Sequence, residues 1–300
     1  MPSEESKQLI ETLRAQPILQ GGSPAEMRAG MDANARQVDS DIGTEDTTAG
    51  GVPARFFSAP GADASKVVLY LHGGGYVIGS IASHAWLTGA ISRASGMRVL
   101  SLDYRLAPEH GCPAAVLDAT FAYQSLVESG YAAENVAIAG DSAGGGLTAA
   151  TLLSIRERGL PMPGAAVLLS PWTDLAITGA SVTERASRDP IIGDPAMITM
   201  MANNYLLGMS PRDPQASPLY ADLKGLPPLL IQVGSEEVLF DDAARLHAKA
   251  QEAGVDSSFV EWVGQVHVFQ MQGWMVPEGQ QAIDRIGEFL KARVGVAVPA

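Results

Sequence analysis

The sequence predicts an α/β fold, a mostly parallel sheet covered by helices on both faces. Three observations carry this. Beyond Lys66, short apolar runs alternate with longer helix-compatible segments, and alternating βα units demand parallel strands joined by helical crossovers. The run Val136 to Ala139 passes through Gly140-Asp141-Ser142-Ala143-Gly144 into a helix-compatible run, Leu147 to Ser154. The run KVVLYL, Lys66 to Leu71, ends in His72-Gly73-Gly74-Gly75-Tyr76, which sets three glycines at the end of a strand.

In chain order, the polar start MPSEESKQLIETLRAQ reads as a helix, which Gly21-Gly22-Ser23-Pro24 breaks from a second, Pro24 to about Val38. Short strands follow, around Asp41 to Thr47 and Val52 to Ser58. After the glycine loop come strand Arg98–Leu102, helix Pro113–Ser129, strand Asn135–Ala139, helix Ser142–Arg158 and strand Ala165–Ser170. The rhythm then breaks. Trp172 to Pro218 holds Ser/Thr/Asp/Pro-rich turns and a Met-rich helical patch of Met197, Met200, Met201, Asn204 and Tyr205. This stretch reads as an inserted cap; a Met patch is more often core packing than a substrate wall, but at a cleft edge adaptable Met side chains would suit apolar groups. Alternation resumes at Pro228 with LLIQVG (Leu229 to Gly234), continues through the alternating strand Ser257 to Val263, and ends in a helix, Pro277–Ala292. The expected organisation is N-terminal cap helices over 1–40 and an α/β domain over 41–300, with a cap insertion at about 172–218.

The two glycine motifs point to one chemistry. A strand turning into a helix through G-x-S-x-G is a nucleophile elbow, which leaves the serine hydroxyl clear of the sheet. On that reading Ser142 is a nucleophile. Consecutive glycines let bare N–H groups approach a ligand, and preorganised N–H donors stabilise an oxyanion well. Ala143, the residue after the serine, supplies another such donor. No Gly-Lys-Ser/Thr follows the glycines and no GxGxxG is present, which argues against a nucleotide site.

HGGGYVIGS (His72 to Ser80), DYRLAPEH (Asp103 to His110), PAA (Pro113 to Ala115), GDSAGGG (Asp141 to Gly146) and SPW-D (Ser170 to Trp172, Asp174) occur in this order. Together they resemble the microbial hormone-sensitive-lipase-like esterases, bacterial family IV, of the α/β-hydrolase superfamily, in the GDSAG subgroup. The resemblance runs from about Leu69 to about Gln270. Gly111-Cys112 departs from it, since many members have Pro and an aromatic there, and that touches the local wall of the pocket.

The triad order of such a fold is Ser, then Asp or Glu, then His. Of His72, His84, His110, His247 and His267, only the last two lie well beyond Ser142. His247 falls inside the helical pattern DDAARLHAKAQEAG and reads as a solvated helix residue, whereas His267 follows a late strand and is the candidate base. Glu236, Glu237, Asp241 and Asp242 are the candidate acids. Asp241 and Asp242 open a helix, where acids are favoured by the dipole and by capping. Family members carry the acid directly before a Pro/Val-Leu pair, which selects Glu237, with Glu236 next. Many members have Asp at that position.

The resemblance thus implies a carboxylesterase acting on short- to medium-chain acyl esters. Ser142, Glu237 and His267 would form the triad, with Gly74, Gly75 and Ala143 in the oxyanion hole. Gly73 would permit the loop geometry, His72 would fix the loop, and Asp141 would support it. Asp103, Tyr104 and Arg105 look like a structural turn. An amidase, lactonase or deformylase could use the same parts, and the gibberellin receptors resemble the family but have lost the catalytic His.

Composition fits a small-molecule enzyme. The 300 residues carry a net charge of −13 and are 46% hydrophobic and 18% charged. Nucleic acid and anionic membranes are poor partners for such a chain. The single cysteine, Cys112, excludes an internal disulfide and reads as a packing residue. No apolar run is long enough to span a bilayer. The N-terminus lacks a basic start with an apolar core, so the expected location is the cytoplasm. No metal-ligand spacing is present and no cofactor is expected. The expected partner is a small ester substrate, and because family members are often dimers, a homodimer is allowed.

Overall fold

In a computed structural model the described residues are 2–16 and 21–295. Residues 1 and 17–20 of the expected N-terminal unit, and 296–300 of the expected α/β domain, lie outside them. Eight strands form one sheet: β1 (Gly43–Ala49), β2 (Val52–Ser58), β3 (Asp63–Leu71), β4 (Met97–Leu102), β5 (Val136–Asp141), β6 (Ala165–Leu169), β7 (Leu229–Gly234) and β8 (Ser257–Trp262). Their order is β1-β2-β4-β3-β5-β6-β7-β8. β1 and β2 form an antiparallel hairpin closed by Gly50-Gly51, both at positive φ, as a two-residue turn matching strand twist requires. β2 also pairs antiparallel with β4, and every other pairing is parallel.

The central strands are apolar throughout because both faces are covered. Side chains alternate across a strand, and β3 shows the result. Leu69 and Leu71 join one core with Ile138, Leu168 and Ile231, and Val68 and Tyr70 join the other with Ala137, Val167 and Leu230. The first core is closed by α4 (Ala114–Glu128), α5 (Ala143–Glu157) and α8 (Phe240–Glu252). The second is closed by α3 (Ala85–Ser95) and α9 (Pro277–Arg293).

Two helices precede the sheet. α1 (Glu4–Ala15) is capped by Ser3, and α2 (Pro24–Ala33) by a capping box in which Ser23 and Glu26 satisfy each other's backbone N–H. The break in βα rhythm between β6 and β7 contains α6 (Ser181–Glu184) and α7 (Pro195–Leu206), the latter capped by Asp194. The Met-rich patch divides along α7: Met201 and Tyr205 are buried, whereas Met200 is exposed. Tyr205 stacks on Tyr76 at 3.8 Å between ring centroids. No helix among the described residues is long and apolar enough to cross a membrane.

Candidate active site

The carboxyl ends of β3, β5, β6 and β7 converge at one edge of the sheet, where open α/β sheets bind ligands. At the end of β5 the backbone reverses into α5 at Ser142, which has φ 53° and ψ −121°. Such a φ is costly for any residue but glycine, and contacts on both sides hold it. Ser142 N–H donates to the Leu169 carbonyl at 2.8 Å, and Trp172 N–H donates to the Ser142 carbonyl at 2.9 Å. The flanking glycines are obligatory: a Cβ on Gly144 would strike the Leu71 carbonyl, and one on Gly140 would strike the Gly144 carbonyl.

The His72–Tyr76 loop lies against this elbow. Asp141 Oδ1 accepts Gly73 N–H at 3.1 Å and the Tyr70 hydroxyl at 2.7 Å. Its Oδ2 lies 3.3 Å from His84 Nε2, and His84 Nδ1 meets Ser83 Oγ at 2.9 Å. Burial opposes the Asp141 charge, but His84 and Tyr70 outweigh it and hold the carboxyl below its usual range. His72 stacks on Tyr104 at 4.3 Å, and its Nδ1 lies 2.8 Å from the Gly73 carbonyl. Burial, then the charge of nearby His84, lowers its pKa to about 3. A ring held neutral and stacked in this way is a strut for the loop. Tyr104 donates to the His72 carbonyl at 2.7 Å, and Arg105 pairs with Asp118 at 2.7 Å, so that segment has contacts of a structural kind.

Gly74 and Gly75 present their backbone beside Ser142 in one cavity of about 890 Å³. Among the described residues the N–H groups of Gly74, Gly75 and Ala143 have no acceptor. Ala143 is the first residue of α5, where helix geometry leaves N–H groups unpaired and the dipole favours negative charge.

His267 lines the same cavity as Ser142. Its Nδ1 lies 2.9 Å from Oε2 of Glu237, which is fully buried. Glu237 Oε1 accepts the Ser170 hydroxyl at 2.7 Å and also Gly234 N–H. Burial raises the Glu237 pKa, and the His267 and Gly234 contacts only partly counter it. Burial pulls the His267 pKa down, but the bond to Glu237 and the charges of Glu237, Asp189 and Asp141 leave it above its ordinary value.

The rival side chains point elsewhere. Glu236 accepts Ser235 Oγ at 2.6 Å and lies 3.5 Å from Arg188. His247 is partly buried on α8, bonded to Ser257 Oγ at 2.9 Å and stacked on Phe259. Asp241 and Asp242 sit in the first turn of α8, as their sequence suggested. Asp242 is not solvated there: it is buried, accepts Thr173 and Asp174 N–H, and burial raises its pKa to about 7. Cys112 packs beside Tyr205, its thiol pushed up to about 11 by burial, and it does not line the cavity. The Gly111-Cys112 departure therefore alters the support behind α7.

Sequence reasoning did not assign Ser170 a role. It bridges Glu237 to Val268, whose N–H it accepts at 3.1 Å. The available signal was its place at the end of an apolar strand, inside the SPW segment. Tyr70 and His84, which brace Asp141, were also missed, as was Asp189.

The parts at one cavity are a hydroxyl on a strained turn, an imidazole braced by a buried carboxylate, and unpaired N–H donors. They can form and break a covalent bond to a carbonyl carbon while holding an oxyanion. Among the described residues no group of three or more His, Cys, Asp or Glu could hold a metal ion.

A family model described as the alpha/beta hydrolase fold matches residues 68–271. An acetyl-hydrolase of Streptomyces hygroscopicus is 49% identical over 236 residues, which is 79% of this chain and 79% of that one. A crystal structure of an esterase from the bacterial hormone-sensitive lipase family superposes with a TM-score of 0.95 at 46% identity, covering 98% of this chain and 100% of the other. A structure of EstE5 soaked with p-nitrophenyl butyrate gives 0.94 at 46% identity, over 98% and 100% of the two chains.

Proposed function

From the premise that this chain belongs to the α/β-hydrolase family of bacterial hormone-sensitive-lipase-type esterases, we propose that it hydrolyses short- to medium-chain acyl esters through Ser142, His267 and Glu237, and that it falls in the GDSAG subgroup. The observation that carries this reading is the 2.9 Å contact of His267 Nδ1 with buried Glu237, on a ring that lines the same cavity as Ser142. With Nδ1 engaged, Nε2 is the nitrogen left to take the Ser142 proton. The serine oxygen then attacks the ester carbonyl, and the N–H groups of Gly74, Gly75 and Ala143 hold the oxyanion. The alcohol leaves with the proton from His267. Water, deprotonated by the same imidazole, attacks the acyl-serine and releases the acid. Glu237 orients the ring and stabilises its charged form without itself taking a proton.

The described part of residues 1–40, with α1 and α2, and about 172–218, with α7, form the cap of this site. The cavity draws Leu13, Met27 and Met31 from the N-terminal helices and Ile192, Ile198 and Met201 from the insertion. Met201 sits so close over Gly75 that a Cβ there would strike its sulfur. An apolar cavity of this size accommodates an acyl chain of limited length. The acidic chain with a pI of about 4.7 suits a cytoplasmic enzyme that binds neither nucleic acid nor anionic membrane.

The test is turnover of p-nitrophenyl butyrate. Ser142→Ala should lose several orders of magnitude in kcat while staying folded, as removal of a nucleophile does. An organophosphate should label Ser142, seen by peptide mass spectrometry; labelling of another serine would overturn the assignment.

A further inference from the structure

Asp189 is a buried carboxylate that the reaction steps above do not use. It lies in the insertion between β6 and β7, just before Ile191 and Ile192 of the cavity wall. Its two oxygens serve two different segments. Oδ1 accepts Ile191 N–H at 2.9 Å and Ile192 N–H at 3.2 Å, which closes a local turn. Oδ2 accepts Val238 N–H at 3.1 Å, on the residue next to Glu237.

Among the described residues no cation lies within ion-pair distance of Asp189. Its own segment holds Arg185 and Arg188, but Arg185 donates to the Ser235 carbonyl and lies over the Phe240 ring, and Arg188 pairs with Glu236. A buried carboxylate without a counter-ion is expensive. A neutral Asn or Ser would close the same turn without that cost, so the turn alone does not account for a charge here. A negative charge at Asp189 favours the protonated forms of both Glu237 and His267.

We propose that Asp189 is a positioning residue for the triad acid: through its bond to Val238 N–H it ties the cavity-walling insertion to the Glu237 loop. The inference rests on the triad reading above. Two links follow. The Val238 bond fixes the backbone from which Glu237 projects, next to the Gly234 N–H that the carboxylate accepts. The charge acts on His267 together with Glu237 and Asp141, against the opposing effect of burial.

The two links can be separated. Asp189→Asn keeps a carbonyl oxygen for the Ile191 turn but loses the charge and turns an N–H₂ group toward Val238. Val238→Pro removes the N–H donor and leaves the charge. With p-nitrophenyl butyrate, Asp189→Asn should lower kcat by about tenfold, the scale of a lost charge-assisted hydrogen bond, with KM within about twofold. The acidic limb of its kcat/KM profile should move to lower pH, because an imidazole that loses a negative neighbour releases its proton sooner. Val238→Pro should lower kcat with the limb in place. Circular dichroism and thermal unfolding establish that each variant is folded, and Asp189→Ser replaces Asn if that protein is not. A folded position-189 variant with wild-type kcat, or with the limb unmoved, would overturn the proposal. Glu237→Gln is run alongside. If it keeps wild-type activity, the triad reading itself falls. If it is inactive while Asp189→Asn behaves as wild type, only the role of Asp189 falls.

Discussion

Truncating Ser170 should damage the reaction from a residue that never meets the substrate. Its hydroxyl donates to Glu237 at 2.7 Å and accepts Val268 N–H at 3.1 Å, so Ser170→Ala removes two buried contacts at once. A hydrogen bond to a charged group contributes about 1.5–3 kcal/mol, a factor of about 10 to 100. Glu237 keeps Gly234 N–H and His267, which places the expected fall in kcat for p-nitrophenyl butyrate toward the lower end, about tenfold to thirtyfold, with KM little changed. The orphaned Val268 N–H should cost about 1–3 kcal/mol and lower Tm by several degrees. Ser170 has φ 46°, so Ser170→Gly supplies the control: it relieves the backbone but still lacks the hydroxyl. Stability should recover in part and kcat should not. A Ser170→Ala enzyme with wild-type kcat, or a Ser170→Gly enzyme with its rate restored, would refute the bridging role.

Three further outcomes are expected. His267→Ala should be nearly as inactive as Ser142→Ala, and Glu237→Gln strongly impaired, while His247→Ala and Glu236→Gln stay close to wild type in steady-state kinetics; a more sensitive Glu236 would mean that the acid loop acts one residue out of register. Asp242 holds its proton to about pH 7 when folded but to about pH 4 when unfolded, so the folded state binds the extra proton and loses up to about 1.4 kcal/mol per pH unit as pH rises through that window. Asp242→Asn should therefore lose less Tm between pH 5 and pH 8 than the parent, and equal losses would count against the buried neutral carboxyl. Across a p-nitrophenyl ester series, kcat/KM should gain about 0.8 kcal/mol per buried CH₂ until the cavity fills, peak at about four to eight acyl carbons and then fall; Met201→Ala should move the peak to longer chains, and a flat profile or a preference for emulsified long-chain triglycerides would remove the closed cap.

What the sequence revealed depended on how local each signal was. The elbow and the glycine loop each occupy consecutive residues, because a tight turn or a row of N–H donors must be built from neighbours. The strand Val52–Ser58 was legible with its observed bounds. α3 was not read at all. It is buried along most of its length, so no polar face alternates with an apolar one to mark the helical period. α2 was read to about Val38 but stops at Ala33; Val38 instead presses on Gly89 of α3, a tertiary contact that mimics one more helical turn. The choice of Glu237 over Glu236 came from resemblance, since two adjacent glutamates after a strand look alike until one is bonded to a histidine. Ser170 and Asp189 act on partners 98 and 49 residues away. Neither contact leaves a periodicity or a spacing to read.

Backbone strain gathers where these long-range contacts meet. Six non-glycine residues among those described have positive φ, and four of them surround the proposed reaction: Tyr76, Ser142, Ser170 and Val268. Each stands in or next to a part that the proposed reaction uses: the glycine loop, Ser142, the Ser170 contact to Glu237, and His267. Strain of this kind costs on the order of 1–3 kcal/mol per residue and survives only where surrounding contacts over-determine it. Here those contacts include the Ser142 hydrogen bonds to Leu169 and Trp172, the Ser170 N–H bond to the Gln232 carbonyl, and the Val268 N–H on Ser170. They run between strand ends, not along any one of them. Glycine would relieve the backbone at Tyr76 or Val268, but it would remove side chains that pack against Tyr205 and into the cavity wall. At 142 and 170 the strained residue supplies the hydroxyl itself. Stability can therefore be raised at these four positions only by giving up an atom that the site or its packing uses, and the strain persists for that reason.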